Sequence, residues 1–416
     1  MIGKSFEHKL ASKPSAWGCK PRVLLLSTYS FGRPRHGGQV RLANIAKTYL
    51  AAGFEVLSLA VCETHDVGFG KDDIVFPDRA PFNLFEGQSV LFTADVLSGQ
   101  YAADPNGAWP QIRSRFLNSK INVIHAEQPW LWPLVVRLQE LPSCIDTVLV
   151  YGSQNIEAPL RADILHSYGQ ASGALIHAIE RLERQAACEA DLVLAVTPED
   201  GAILQSYGAK RVVLASNGIA PWSAEGADML RWQKKLPQAP WAFYVASAHP
   251  PNFTGFLDCV GQALGGIPPD SKLVVAGSVC EHLQQLLTSS RWSNLNLART
   301  QYLGMLSDID LAVVKSLATV YCLPIAHGGG SNIKTAEAIY SGAQVIGSPA
   351  AFRGFEQFLD LPQIHVVHSA SQFQTLLATL LSSRLLVPVD QDGLAARASL
   401  AWSHCLASIP LALSQY

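Results

Sequence analysis

PIAHGGGSNIKTAEAIYSG, residues 324–342, passes from the end of an apolar strand through three consecutive glycines into a helix. Glycine lets the backbone approach an anion closely, and the exposed N–H groups and positive dipole of a helix N-terminus favour phosphate oxygens. Gly328, Gly329, Gly330, Ser331 and Asn332 therefore form a candidate anion cradle, in which Ser331 and Asn332 can also cap the helix. Lys334 adds a full positive charge one turn in. Glu337 follows three residues later on the same face, where a carboxylate can accept hydrogen bonds from ribose hydroxyls. An ordinary capped helix with a solvated lysine, or an ion pair between Lys334 and Glu337, accounts for the same letters without a ligand.

Working outward, residues 320–323 and 344–346 read as buried strands on either side of this loop, and 241–246 and 272–276 as two more. The first half shows the same alternation. VLLLS at 23–27 is a short apolar run, and Leu42, Ile45, Ala46, Tyr49 and Leu50 form one face of a helix ended by Gly53. Further strands are expected at 55–61, 122–125, 147–151 and 192–196, with a long amphipathic helix across 175–188. Strands alternating with helices predict doubly wound parallel sheets. The pattern breaks between 220 and 240, where Pro221, Gly226, Pro237 and Pro240 mark the expected domain boundary.

The bulk properties agree with two α/β domains. The chain has 416 residues, 49% hydrophobic and 15% charged, enough for two buried cores and too apolar for a disordered chain. With 31 basic and 33 acidic residues the formal charge is −2, so no nucleic-acid partner is written into the composition. No apolar run reaches the roughly 18–20 residues of a membrane span, and residues 1–20 lack the apolar stretch of a secretory signal, so a cytoplasmic protein is expected. The eight cysteines are scattered singly and read as reduced thiols.

Several stretches together resemble retaining GT-B glycosyltransferases related to glycosyltransferase family 4: the 324–342 segment, ADLVLAVTPEDGAILQSYGAKRVVLASNGI at 190–219, HPPNFTG at 249–255, QYLGMLSDID at 301–310 and SGAQVIGSPAAFRGF at 341–355. The likeness runs over most of residues 22–356. It implies two Rossmann-like domains facing a cleft: an N-terminal acceptor domain, 1–220, and a C-terminal donor domain, 221–393, with a terminal helix at 394–416 crossing back. It further implies a nucleotide-sugar donor whose base lies near Tyr302 and Leu303, with Lys334 and Glu337 at the reacting diphosphate and ribose. Retention of configuration and no metal or other cofactor are expected. The acceptor would be a glycan, a lipid-linked sugar or a small molecule, as in polysaccharide biosynthesis. The donor sugar, its base, the acceptor and the oligomeric state are not encoded in these motifs.

Two departures stand out. Such enzymes often carry a second glutamate eight residues before the one at Glu337, where this chain has Gly329; and residues 246–254 lack the arginine and lysine that often grip the diphosphate. In the N-terminal domain His36, Gly37 and Gly38 follow the first strand, and the resemblance implies that this loop lines the cleft. Arg33, Arg35 and Arg41 flank it, a positive patch suited to an anion, with peripheral contact to the inner membrane face left open. In YGSQNIE, Gln154 stands where the family often has histidine and cannot exchange protons near neutral pH. Asn155 and Glu157 remain cleft candidates, with helix capping as the other account. His125 ends a strand and reads as structural, with Glu127 at the sheet edge where ligands bind. Asp308 and Asp310 form a D-x-D string in a turn before a helix and are assigned no metal. Two rival readings stay open: a nucleotide-sugar epimerase, which needs ionisable groups in the cleft, and a non-catalytic nucleotide- or glycan-binding homologue.

Overall fold

A computed structural model describes residues 20–63, 69–224, 226–325, 330–383 and 391–416. Strands β1 (Arg22–Ser27), β2 (Glu55–Cys62), β3 (Ile74–Val75), β4 (Val123–Glu127), β5 (Val148–Gly152), β6 (Leu192–Ala195) and β7 (Val212–Leu214) form the first sheet. Its order is β3-β2-β1-β4-β5-β6-β7, with every pairing parallel. The second sheet comprises β8 (Trp241–Val245), β9 (Lys272–Ala276), β10 (Thr300–Gly304), β11 (Val320–Leu323), β12 (Gln344–Gly347) and β13 (Ile364–Val366). It repeats the plan, in the order β10-β9-β8-β11-β12-β13, again all parallel. Strand order reverses direction between β1 and β4 and between β8 and β11, the two points where open α/β sheets hold ligands beyond the strand carboxyl ends.

The continuous apolar runs follow from burial on both faces. Leu24, Leu26, Ile124 and Ala126 pack into one core of the first domain, and Val23, Leu25, Val123 and Val150 into the other. The helix Gly37–Ala51 ends as its sequence indicates: Gly53 adopts φ +90°, and Phe54 N donates to Tyr49 O at 3.0 Å, returning the chain to β2. No described helix is long and apolar enough to cross a membrane.

Two segments depart from expectation. Residues 220–240 contain a helix, Gly226–Lys235, whose Trp232 packs into the second domain with Leu236 beyond it. The prolines at 221, 237 and 240 lie outside its ends and bound it rather than break it. The terminal segment is three short helices, not one helix from 394. Gln391–Ser399 stays on the second domain, where Ala396 and Leu400 pack. The chain crosses only where Ala401 pairs with Ile219, and Trp402, Leu406 and Ile409 then enter the core of the first domain. Gly218 allows this crossing, because an added Cβ would lie 2.9 Å from Trp402 N.

Trp402 is 6% exposed and fills that core from across the boundary. Trp402→Ala is expected to destabilise the first domain by about 3–5 kcal/mol, the usual cost of truncating a buried large aromatic. Urea unfolding followed by far-ultraviolet circular dichroism checks this; a loss under about 1 kcal/mol would show that the terminal segment is not integral to that core.

Candidate functional site

The floor of the cleft is built from one helix and one strand end. Arg41, on the inward face of Gly37–Ala51, and Glu127, the last residue of β4, are each 1% exposed. Arg41 Nε donates to Glu127 Oε1 at 2.7 Å and Arg41 Nη1 to Ala215 O at 2.7 Å, while the buried Nη2 has no hydrogen-bond partner. His125 joins the pair: its Nε2 lies 2.9 Å from Glu127 Oε2 and its Nδ1 3.0 Å from the Tyr49 hydroxyl. In the neutral ring this places the proton on Nε2, facing the carboxylate, and lets Tyr49 donate to Nδ1. Burial alone would raise the Glu127 carboxyl, but Arg41 and His125 together hold it below the usual range, as an anion. Gly152 makes room, since an added Cβ would lie 2.0 Å from Glu127 Oε2.

Gln154 extends this network to the surface of the cleft, donating through Nε2 to Tyr29 Oη at 2.6 Å and to Glu127 Oε1 at 3.2 Å. An added Cβ at Gly38 would lie 2.7 Å from Tyr29 Oη, and one at Gly37 3.4 Å from Ile333 Cδ1 in the second domain. Asn155 donates to Glu157 Oε1 at 3.4 Å. Glu157 opens the helix Glu157–Ser167, yet the carboxylate on that helix end is Glu183, which accepts from Glu157 N at 2.9 Å. Burial, then Asp95, pushes Glu157 up to about 7; burial, then the Glu157 charge among others, pushes Glu183 up to about 8, its Oε2 being buried and unpartnered.

The second domain closes directly onto these residues. Gly330, at φ +59°, sits so near the Gln154–Asn155 turn that a Cβ there would lie 2.4 Å from Gln154 O. Asn217 bridges the domains, accepting from Arg41 Nη1 at 3.3 Å and donating to Ser331 O at 3.0 Å. Arg353 reaches Asp200 at 2.5 Å as a further tie. Behind Gly330, Lys334 Nζ donates to Asn252 Oδ1 at 2.7 Å, so the N-terminal ends of helices Ile333–Ser341 and Pro250–Cys259 meet at one cation. Burial lowers Lys334 to about 8, partly offset by Glu337. Glu337 itself pairs with Lys315 at 2.6 Å, not with Lys334. Gly328 and Gly329 lie outside the described residues. Tyr302 and Leu303 stand apart on β10, the edge strand, partly buried in different cores.

Sequence reasoning left out Asn217, Asn252, Lys315 and Tyr29 as site residues and favoured a structural over a functional role for His125. Asn217 carried a signal, standing beside a glycine at the domain crossing; Lys315 carried none, because its partner lies on another helix. Next to Tyr29 and His36 a cavity of about 450 Å³ opens at the carboxyl ends of β1 and β2.

No protein-family model matches the sequence, and no curated protein matches it by sequence. Solved structures match over nearly the whole chain. Sucrose-phosphate synthase from Thermosynechococcus elongatus has a TM-score of 0.70 at 16% identity, covering 95% of this chain and 99% of that one. Anabaena HepE in complex with UDP has a TM-score of 0.63 at 15% identity, covering 95% and 100%. WaaG, a glycosyltransferase involved in lipopolysaccharide biosynthesis, has a TM-score of 0.61 at 15% identity, covering 94% and 98%. The chain has the GT-B fold.

The raised carboxyls Glu157 and Glu183 give a pH dependence of stability. The folded state holds protons that the unfolded chain releases near 4.5, so their contribution is present below that pH and is lost as pH rises through about 7 and 8. Melting temperature is expected to fall from pH 5 to pH 8. Glu183→Gln, which keeps the neutral form, flattens that fall. Thermal melts over this range check it, and an unchanged slope in the variant would sink the assignment.

Proposed function

We propose that the chain is a glycosyltransferase that moves a sugar from a nucleoside-diphosphate sugar, held on the second domain, to an acceptor hydroxyl presented by the first. One observation carries this reading: Lys334, Asn252 and the N-terminus of Ile333–Ser341 converge where the second domain closes on Gln154 and Asn217. A cation at two helix N-termini is the preorganised electrostatics that a departing diphosphate requires. The anomeric carbon loses its bond to the phosphate oxygen and gains one to the acceptor oxygen. The acceptor proton leaves on the departing phosphate, with retention of configuration.

Lys334 and the helix ends stand in for the basic pair absent from residues 246–254. Gly330 to Asn332 offer backbone donors in place of the missing second glutamate, and Gly328 and Gly329, beside them in the sequence, are assigned to the same loop. Glu337 keeps Oε2 for ribose while Lys315 holds Oε1. Tyr302 and Leu303 are assigned to the base side. This reading calls on no metal, because the diphosphate charge is met by Lys334 and the helix ends. Asp310 of the D-x-D string is taken by Arg231 at 2.5 Å and Trp232 Nε1 at 2.8 Å. HepE has been captured with UDP, with UDP and glucose, and with UDP-glucose, which makes uridine nucleotides the first donors to test. Against an epimerase, Glu127 is locked as an anion by Arg41, Gln154 cannot exchange protons, and Glu157, though raised to about 7, is only 3% exposed.

A thermal-shift series with UDP, ADP, GDP and their glucose conjugates tests the proposal. One nucleotide family is expected to raise the melting temperature, and Lys334→Ala and Glu337→Ala to lose most of that rise. No shift with any nucleotide would overturn the donor site.

Lys334 adds a second signature. With its pKa near 8 in the free protein, it is protonated below that pH and must take up a proton to meet a diphosphate above it. Nucleotide affinity is expected to fall up to about tenfold per pH unit above 8, and Lys334→Arg to remove that dependence. Calorimetric titration at pH 7, 8 and 9 checks both.

A further inference from the structure

The cavity beside Tyr29 is not accounted for by the donor site. It measures about 450 Å³, within the range of about 300–1,000 Å³ usual for small-molecule sites. One wall is apolar, formed by Val61, Cys62 and Phe76, and at its mouth stands Phe92. Phe92 is 40% exposed and adopts φ +58°, a conformation that bulky residues avoid. Its ring is held edge-on by Tyr168, with centroids 4.9 Å apart, and Tyr168 is itself 49% exposed. An exposed aromatic kept in an unfavourable backbone state at the rim of a cavity points to a contact surface.

The polar wall is equally specific. Arg161 grips Asp95 through Nη1 and Nη2 and lies 5.3 Å from the centroid of the Trp130 ring, so the pair forms a rigid planar edge. Among the lining residues Arg35 and Arg161 are balanced by Glu63 and Asp95, so the cavity carries no formal net charge to select an anion. An exposed aromatic and a fixed, bidentate Arg161–Asp95 pair lining one cavity of no formal net charge suit a ring with one apolar face and a belt of hydroxyls. Tyr29 and His36 line the cavity, and Gly37 next to them meets Ile333 of the donor helix, so a ligand here borders the closing cleft.

We infer that this cavity is the acceptor subsite, that it takes a neutral saccharide, and that Phe92 is the platform on which the sugar ring stacks. This rests on the glycosyltransferase reading above. A sugar phosphate would call for a net positive wall, and a lipid chain for a longer apolar groove.

The test uses the full chain, with saturation-transfer NMR on methyl glycosides of common hexoses, maltose, cellobiose and lactose, and with glucose 6-phosphate and an octyl glycoside for comparison. At least one neutral saccharide is expected to bind. Its affinity should drop tenfold or more in Phe92→Ala and be kept in Phe92→Tyr, while the nucleotide-induced thermal shift stays unchanged in both. Binding of glucose 6-phosphate alone, a preference for the octyl chain, a neutral saccharide indifferent to Phe92, or no saccharide signal at all would each overturn the inference. If the native chain shows no nucleotide shift but does show Phe92-dependent saccharide binding, it is the transferase reading that fails and the sugar subsite that stands.

Discussion

Arg41 and Glu127 meet inside the first domain with almost no access to water, and the cleft is organised around that pair. Two charges taken out of water cost several kcal/mol each unless geometry and additional hydrogen bonds offset the loss. Here the offset comes from every side: His125 and Gln154 donate to the carboxylate, and Ala215 and Asn217 receive the guanidinium. The partners come from β4 itself, the turn after β5 and the segment after β7, so satisfying the pair brings these and the Gly37–Ala51 helix into one register. A site made this way is stiff, because moving any one element leaves a buried charge unpaired.

The same pair reaches the second domain. Asn217 takes one hydrogen bond from Arg41 and gives another to the Ser331 carbonyl, so the glycine loop is referenced to the buried ion pair through a single side chain. Asp200 and Arg353 add a second tie across the boundary. Glycine is required where the domains touch most closely, since no Cβ fits between Gly330 and the Gln154 carbonyl. At the cleft the first domain presents the buried Arg41–Glu127 pair, and the second a part-buried lysine at two helix ends.

Much of this was legible in the residues. Strands β1, β2, β4, β5, β6, β8, β9, β11 and β12 were found within two residues, because apolar runs bounded by turn residues have few other meanings in a chain of this composition, whereas the two- and three-residue strands β3, β7 and β13 are too short to show a run. The helix stop at Gly53 and the strand–glycine–helix passage at 324–342 were equally plain. The helix Gly226–Lys235 was not, because three prolines and a glycine around it imitate a linker and only its docked face, carrying Trp232, makes it stable. The crossing at Ala401 was placed too early for a related reason: Gln391–Ser399 carries no mark of which domain will cover it. The partners of Lys334 and Glu337 were also out of reach. Asn252 is 82 residues from Lys334, and Lys315 comes from a neighbouring helix that outcompetes the i, i+3 pairing on the helix itself.

By itself, the sequence determined two parallel α/β domains, their order along the chain, and a glycine-rich passage into a helix with one lysine in its first turn. These are local or periodic properties, set by residues within a few positions of one another. Only the tertiary structure decided which charges are buried in pairs and which is left for a ligand, and that Phe92 stands over a neutral cavity. It also decided that one asparagine links the ion pair to the loop, because burial and long-range pairing exist only once the chain has brought distant residues together.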